Sequence, residues 1–274
     1  MVEYDFSGQV AFITGAGHGQ GRSHAVTYAE NGADVVVTDI AADKEGVAYE
    51  QATTEELEET ASLVEDEGQE ALPLVMDVTE EDDVERAVEE AVSHFGRIDF
   101  LANNAGVLDS AKMVDLEEER WDAIVDTNLK GVWLCSKHVG RHFIERGEGG
   151  KIVSTASNGA FRGSIGRAGH YNAAKWGIRG ITKTLAIELG EHGVNVNAVA
   201  PSGVGTPMIQ SMSQLHGEEL FEQMQELSGR SNLLNPGELI EPRDVSEAYM
   251  WLSSEAARYV TGITLPVDAG DTAK

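Results

Sequence analysis

Residues 14–39 read "TGAGHGQGRSHAVTYAENGADVVVTD", and this stretch decides the fold. It begins where the apolar run "QVAFITG" ends, turns through Gly15, Gly19 and Gly21, continues as a helix-like mixture, and closes on a second apolar run that stops at Asp39. Glycines on a strand-to-helix turn permit a tight bend. They also let a pyrophosphate approach the helix amino end, where backbone N–H groups lack intrahelical partners. A carboxylate ending the second strand is placed to accept hydrogen bonds from both hydroxyls of an adenosine ribose. The plainer alternative makes the glycines a structural turn and Asp39 a turn or cap residue. If Asp39 does read the ribose, its charge repels a 2′-phosphate and favours NAD over NADP. His18 and Arg22 are the nearby cations that could support NADP, and His18 is mostly neutral at neutral pH.

Beyond this unit the alternation continues. Short apolar runs "ALPLVMD", "IDFLANNAG", "GKIVSTAS", "VNVNAVAP" and "GITLPVDAG" are each separated by helix-like segments. Nearly continuous apolar strands are buried on both faces, and their alternation with helices implies parallel pairing. The expectation is a single α/β domain over residues 1–274: a doubly wound Rossmann fold, its seven-stranded parallel sheet carrying helices on both faces. Two segments lengthen the rhythm, residues 41–53 after the second strand and residues 203–237 before the last helix. Long connections at the carboxyl ends of strands are where such folds place ligand contacts. Candidate dinucleotide contacts therefore include Gly17, His18 and Gln20 in the turn, Ile40 after Asp39, and Asp77 and Val78 after the third strand. Asn104, Ala105 and Gly106 of "NNAG" follow the fourth strand. Pro201, Ser202, Val204 and Thr206 follow the sixth.

The chain has 274 residues, 41% hydrophobic and 24% charged, enough to bury a full core. Its 47 acidic against 20 basic residues give a net charge of −27, which argues against nucleic acid as a partner. The acidic stretches keep their apolar helical positions, so the excess is read as solvated surface. Such self-repulsion is screened by salt, which suggests a halophilic setting. No apolar run is long enough to span a bilayer, and the amino-terminal "MVEYDFSGQVAFITG" is acidic before its first apolar run, unlike a secretory leader. A cytoplasmic protein without a membrane partner is expected. One cysteine, Cys135, leaves no intrachain disulfide and no cysteine-based zinc cluster. Its default is a buried small hydrophobe. His138 and His142 have metal-ligand spacing but no third ligand, so no metal site is expected and both are assigned to the helix surface or a subunit interface.

"HYNAAK" at 170–175 places Tyr171 and Lys175 on one helix face. A phenol beside an ammonium is pulled toward phenolate, the property wanted of an acid/base group. The pair could also arise by accident. With Ser157 ending "IVSTAS", Asn128 in "VDTNLKG", "TGAGHGQG", "NNAG", "YNAAK" and "PSGVGTP", however, the chain resembles the short-chain dehydrogenase/reductase family over its whole length. "GQGRSHAV", "AYEQATTEELEETASLVE", "GVGTPMI" and "ARYVTGITLPVDAGDTAK" are similar to its carveol-dehydrogenase-type, mycofactocin-associated branch, known for tightly held NAD. Ser202 stands where the wider family often has glycine.

The resemblance implies NAD-linked interconversion of an alcohol and a ketone by a homotetramer, with a possible redox partner that recycles the cofactor. Tyr171 would exchange the hydroxyl proton, Lys175 would lower its pKa and hold the nicotinamide ribose, Ser157 would orient the substrate oxygen, and Asn128 would hold a water. Met208, Ile209, Met212 and Phe161, with the helical pattern "ELFEQMQELSGRSNLL", suggest an apolar substrate pocket under a lid helix. A sugar or 3-oxoacyl reductase is the rival enzyme. A catalytically silent NAD-binding regulator is the rival of another kind, opposed by the intact Ser157, Tyr171 and Lys175 set.

Overall fold

The computed structural model describes residues 4–163, 168–216, 232–234 and 236–273, with the side chains of 212–216 left aside. Seven strands form one parallel sheet: β1 (Val10–Thr14), β2 (Asp34–Asp39), β3 (Ala71–Val75), β4 (Phe100–Asn103), β5 (Gly150–Thr155), β6 (Val194–Pro201) and β7 (Thr264–Val267). Their order is β3-β2-β1-β4-β5-β6-β7, with every pairing parallel. All seven expected strands are present. The order reverses between β1 and β4, opening a crevice at the carboxyl ends of the strands. Both edge strands carry a proline, Pro73 in β3 and Pro266 in β7, the place where a missing N–H is tolerated.

Alternating strand residues serve opposite faces. Phe100 and Ala102 of β4 join Ala11, Ile13, Val35 and Val37 against helices α1 (Gly19–Glu30) and α2 (Thr54–Asp66). Leu101 turns the other way, to Phe12, Val36 and Ile152 against α3 (Glu81–Phe95). Helix α4 (Glu118–Val125) runs through a π-helical turn, Asp126–Lys130, into α5 (Gly131–Arg146). α6 (Gly169–Gly190) and α7 (Pro207–His216) follow, and α8 (Pro242–Ser253) precedes β7.

Cys135 is buried, as expected, on the α5 face of the core. His138 and His142 are not free surface residues: His138 is buried beside Glu81, and the His142 ring accepts the Ile98 N–H at 3.1 Å. Among the described residues no group of side chains has the arrangement of a metal site, and no helix is long and apolar enough to cross a membrane.

Candidate active site

The glycine turn connects β1 to α1. Gly15 and Gly19 have φ of 67° and 58°, conformations that a side chain disfavours. A Cβ at Gly21 would lie 1.9 Å from the Gly15 carbonyl oxygen, and one at Gly17 2.5 Å from Ala52 Cβ. Neither space can admit a side chain. At the start of α1, His18 makes no side-chain capping bond and the first turn holds no acidic residue. α2 instead begins with a full capping box between Thr53 and Glu56. The amino end of α1 therefore keeps its N–H groups and positive dipole available to an anion.

Asp39 ends β2 as expected, 9% exposed, and one carboxylate oxygen accepts the Gly17 N–H at 3.0 Å. The other faces the Ala41 N–H at a longer 3.4 Å. A cleft opens here between Gly15, His18, Gly19 and Gln20 on one wall and Asn104, Ala105 and Gly106 on the other, with Ile40 and Val78 beyond Asp39 and Thr206 near α7. The Asn104 side chain is spent on the turn, donating to the carbonyls of Thr14 and Gly15 at 3.1 Å. After β6 the expected contacts divide: Thr206 lines the cleft, but Val204 packs into the core and bridges Ile240. Pro201 is buried, and the Ser202 hydroxyl is buried without a hydrogen-bond partner among the described residues. Together, a glycine cradle, an uncapped helix end and a carboxylate at the ribose position fit the shape and charge of a dinucleotide.

One contact of this cleft was missed by the sequence reading. Lys44, within 41–53, donates to Asp77 at 2.7 Å and Thr79 at 2.9 Å, so the cations near the cleft are not His18 and Arg22 alone. Burial pushes the Asp77 carboxyl up, but Lys44 and Thr79 outweigh it and hold its pKa below the ordinary value. That carboxylate is thus already engaged. Arg22 is committed to the Gly17 and Glu56 carbonyls at 2.7 and 2.9 Å and to Glu59 at 2.8 Å. The segment 41–53, which the sequence offers as a fold-back over the dinucleotide anchored by Val47 and Tyr49, packs beside this cleft. Ala52 is buried against the glycine turn, Gly46 lies against Ala123 of α4, and the Tyr49 hydroxyl accepts the Leu108 N–H at 3.0 Å.

Ser157, Tyr171 and Lys175 meet where β5 and α6 reach the cleft. Ser157 follows β5, accepts the Gly159 N–H at 3.1 Å and donates to Asn158 Oδ1 at 3.1 Å. Lys175 is buried, its Nζ 5.4 Å from the Tyr171 ring centroid and donating to the Thr155 carbonyl at 2.7 Å. The expected lowering of the tyrosine does not appear in this arrangement. Burial pushes the Tyr171 hydroxyl up to about 12, with Ser157 acting in the opposite direction. Lys175 lies over the ring, and burial pushes its own pKa down to about 7.

Asn128 sits in the π-helical turn, fully buried, donating to the Val107 and Ile124 carbonyls at 2.8 and 2.9 Å. Its Oδ1 has no partner among the described residues. A Cβ at Gly106 would meet that oxygen at 2.6 Å and Lys175 Nζ at 3.6 Å, so both groups border Gly106. Of the expected apolar pocket, Met208 lines the cleft. Phe161 instead packs with Ala156 and Ala160 under Arg179, whose guanidinium carbon lies 4.2 Å from its ring centroid. The Met212 side chain and residues 217–231, which include most of the proposed lid helix, lie outside the described residues.

A family described as enoyl-(acyl carrier protein) reductase matches residues 15–272. A (−)-trans-carveol dehydrogenase of Rhodococcus erythropolis is 40% identical over 274 residues, covering 97% of this chain and 98% of the relative. An uncharacterized NAD-dependent oxidoreductase of Mycobacterium tuberculosis is 37% identical over 96% of this chain and 95% of its own. The crystal structure of a carveol dehydrogenase from Mycobacterium avium in complex with NAD superposes with a TM-score of 0.92 at 38% identity, covering 98% of this chain and 99% of that one.

Proposed function

The chain belongs to the short-chain dehydrogenase/reductase family, and on that premise we propose that this NAD-dependent oxidoreductase interconverts a hydrophobic, cyclic secondary alcohol and its ketone. The observation that carries the reading is the meeting of Ser157, Tyr171 and Lys175 beside the dinucleotide-shaped cleft. NAD, when bound, accepts or returns the hydride. Tyr171 moves the proton: as a phenol it gives its hydrogen to a carbonyl oxygen, and as a phenolate it removes the hydrogen of an alcohol. Ser157 orients that oxygen and stabilises charge developing on it. Burial pushes the Lys175 pKa down to about 7, and its charged form is the one that favours phenolate. Asn128 Oδ1, unpartnered and bordering Gly106 with Lys175, is placed to hold a water that links the lysine to solvent.

The segment 41–53 is proposed as a cover that slows NAD release and favours recycling in place by a redox partner, as in the mycofactocin-associated branch. Its supports are Ala52 against the glycine turn and Tyr49 against the loop after β4. A homotetramer and a salt-rich cytoplasm complete the proposal, the latter supported by the charge of −27.

The test is oxidation of carveol and cyclohexanol, with NAD and separately with an artificial electron acceptor, at low and high salt. NAD-linked oxidation of the cyclic alcohols supports the reading. Turnover of sugar acids or 3-oxoacyl thioesters with none of carveol would replace it with the rival activity.

A further inference from the structure

Behind the cleft a buried pair of hydroxyls joins its two halves. Tyr249, on α8, is fully buried, and its hydroxyl lies 2.7 Å from Thr155 Oγ1 at the end of β5. Thr155 serves both sides of the site. Its backbone carbonyl accepts from Lys175 Nζ at 2.7 Å, and its hydroxyl donates to Asn104 Oδ1 at a longer 3.4 Å. Asn104 Nδ2 in turn donates to the carbonyls of Thr14 and Gly15 in the glycine turn. The direction of each hydrogen follows from this geometry. An amide nitrogen only donates and an amide oxygen only accepts, so with its nitrogen on the turn carbonyls Asn104 offers Thr155 an acceptor. Thr155 has one hydrogen, and Asn104 takes it. The 2.7 Å bond must then carry the hydrogen of Tyr249. The reverse direction would leave the tyrosine hydrogen buried without an acceptor among the described residues, which is costly. The Tyr249 ring is itself held: it stacks on His24 of α1 with ring centroids 4.1 Å apart, and His24 Nδ1 lies 2.8 Å from Ser246 Oγ of α8.

We propose that Tyr249 is a positioning residue for the cofactor: by donating to Thr155 it fixes the strand end that holds Lys175 and, through Asn104, the glycine turn that meets the pyrophosphate. The inference rests on the reading of the cleft as the NAD site and of Lys175 as the group that holds the nicotinamide ribose. Without the tyrosine hydrogen, Thr155 Oγ1 keeps only its long bond to Asn104, and a threonine side chain so weakly held turns to another staggered well. Asn104 Oδ1 then loses its partner, and the amide that orients the Thr14 and Gly15 carbonyls is free to tilt. NAD touches both ends of this chain, the pyrophosphate at the turn and the ribose at Lys175. Cofactor binding therefore depends on Tyr249, while the alcohol does not touch it. The two hydroxyls stand 94 residues apart in sequence, so no local pattern announces the pairing.

The test is NAD affinity, measured by calorimetry, in Tyr249→Phe, Thr155→Val and the double variant, with the KM for carveol read at saturating NAD. Tyr249→Phe keeps the ring on His24 and removes only the hydroxyl. NAD affinity is expected to fall about three- to tenfold, while the KM for carveol stays within about twofold of wild type. Thr155→Val weakens NAD as well, and adding Tyr249→Phe to it weakens NAD no further, because the tyrosine acts only through the threonine hydroxyl. Thr155→Ser keeps that hydroxyl and with it the sensitivity to Tyr249→Phe; this pair decides if Thr155→Val does not fold. An NAD affinity of Tyr249→Phe equal to wild type overturns the proposal, even if Tm falls. Losses that add in the double variant, or a carveol KM that rises in step with the loss of NAD affinity, overturn it too. Wild-type NAD affinity in Lys175→Ala would instead defeat the reading of Lys175 beneath it, so the two failures are distinguishable.

Discussion

Asp39 shows how one side chain serves both fold and recognition. Its carboxylate holds the glycine turn through the Gly17 N–H, and it lines the cleft proposed to hold the adenosine ribose. Asp39→Ser should weaken NAD binding and relax the preference against NADP by about tenfold or more, because acceptors and repulsion vanish together. Measuring both cofactor affinities checks this, and an unchanged ratio would place the selectivity elsewhere.

Asp109, by contrast, gave no sequence signal. It binds Arg120 through both oxygens at 2.9 and 2.7 Å and lies 3.4 Å from His170, the neighbour of Tyr171. Burial pushes this carboxyl up, but His170 and Arg120 outweigh it and hold it far below the ordinary 3.8. A carboxyl with a depressed folded pKa stabilises the protein above its unfolded value and loses that contribution as pH falls below it. Asp109→Asn should therefore cost about 2 kcal/mol near neutrality, with Arg120 partly solvated, and less and less as pH drops below about 4. Thermal unfolding across pH measures it. A Tm difference that stays constant down the acid limb would contradict the assignment.

At the scale of elements, much was readable because it is local. β1, its glycine turn, α1 and Asp39 follow from hydrophobic runs, punctuation and one terminal carboxylate. Ser157 and Tyr171 were readable as the end of a strand and the first turn of a helix. What escaped the sequence depends on contacts across the fold. Lys44 meets Asp77 33 residues away and Tyr49 meets Leu108 59 residues away, and neither pairing has a periodic signal. The contact of Phe161 with Arg179 is equally silent in the sequence, since it joins the turn after β5 to the middle of α6. The loop contacts make the 41–53 segment a testable element. Replacing it with a brief turn that keeps Asp39 should speed NAD loss during dialysis by tenfold or more, because a covered ligand leaves only after its cover opens. Unchanged release, or a wild type that already exchanges NAD within seconds, would contradict the cover.

The whole molecule combines a sheet whose order reverses beside β1 with a strongly acidic composition. The reversal places the glycine turn, Asp39, Ser157 and Tyr171 around one crevice, so the fold itself brings the proposed cofactor and proton-transfer groups together. A net charge of −27 predicts that Tm climbs as salt is raised from millimolar to molar, because screening relieves self-repulsion. A Tm indifferent to salt would remove the halophilic interpretation without touching the active site. The central claim is that Tyr171 moves the proton while the cleft holds NAD. Tyr171→Phe keeps the ring and its packing but removes the transferable hydrogen, so carveol turnover should fall by ~10²-fold or more while NAD affinity stays close to wild type. Turnover near the wild-type level in that variant would contradict the account.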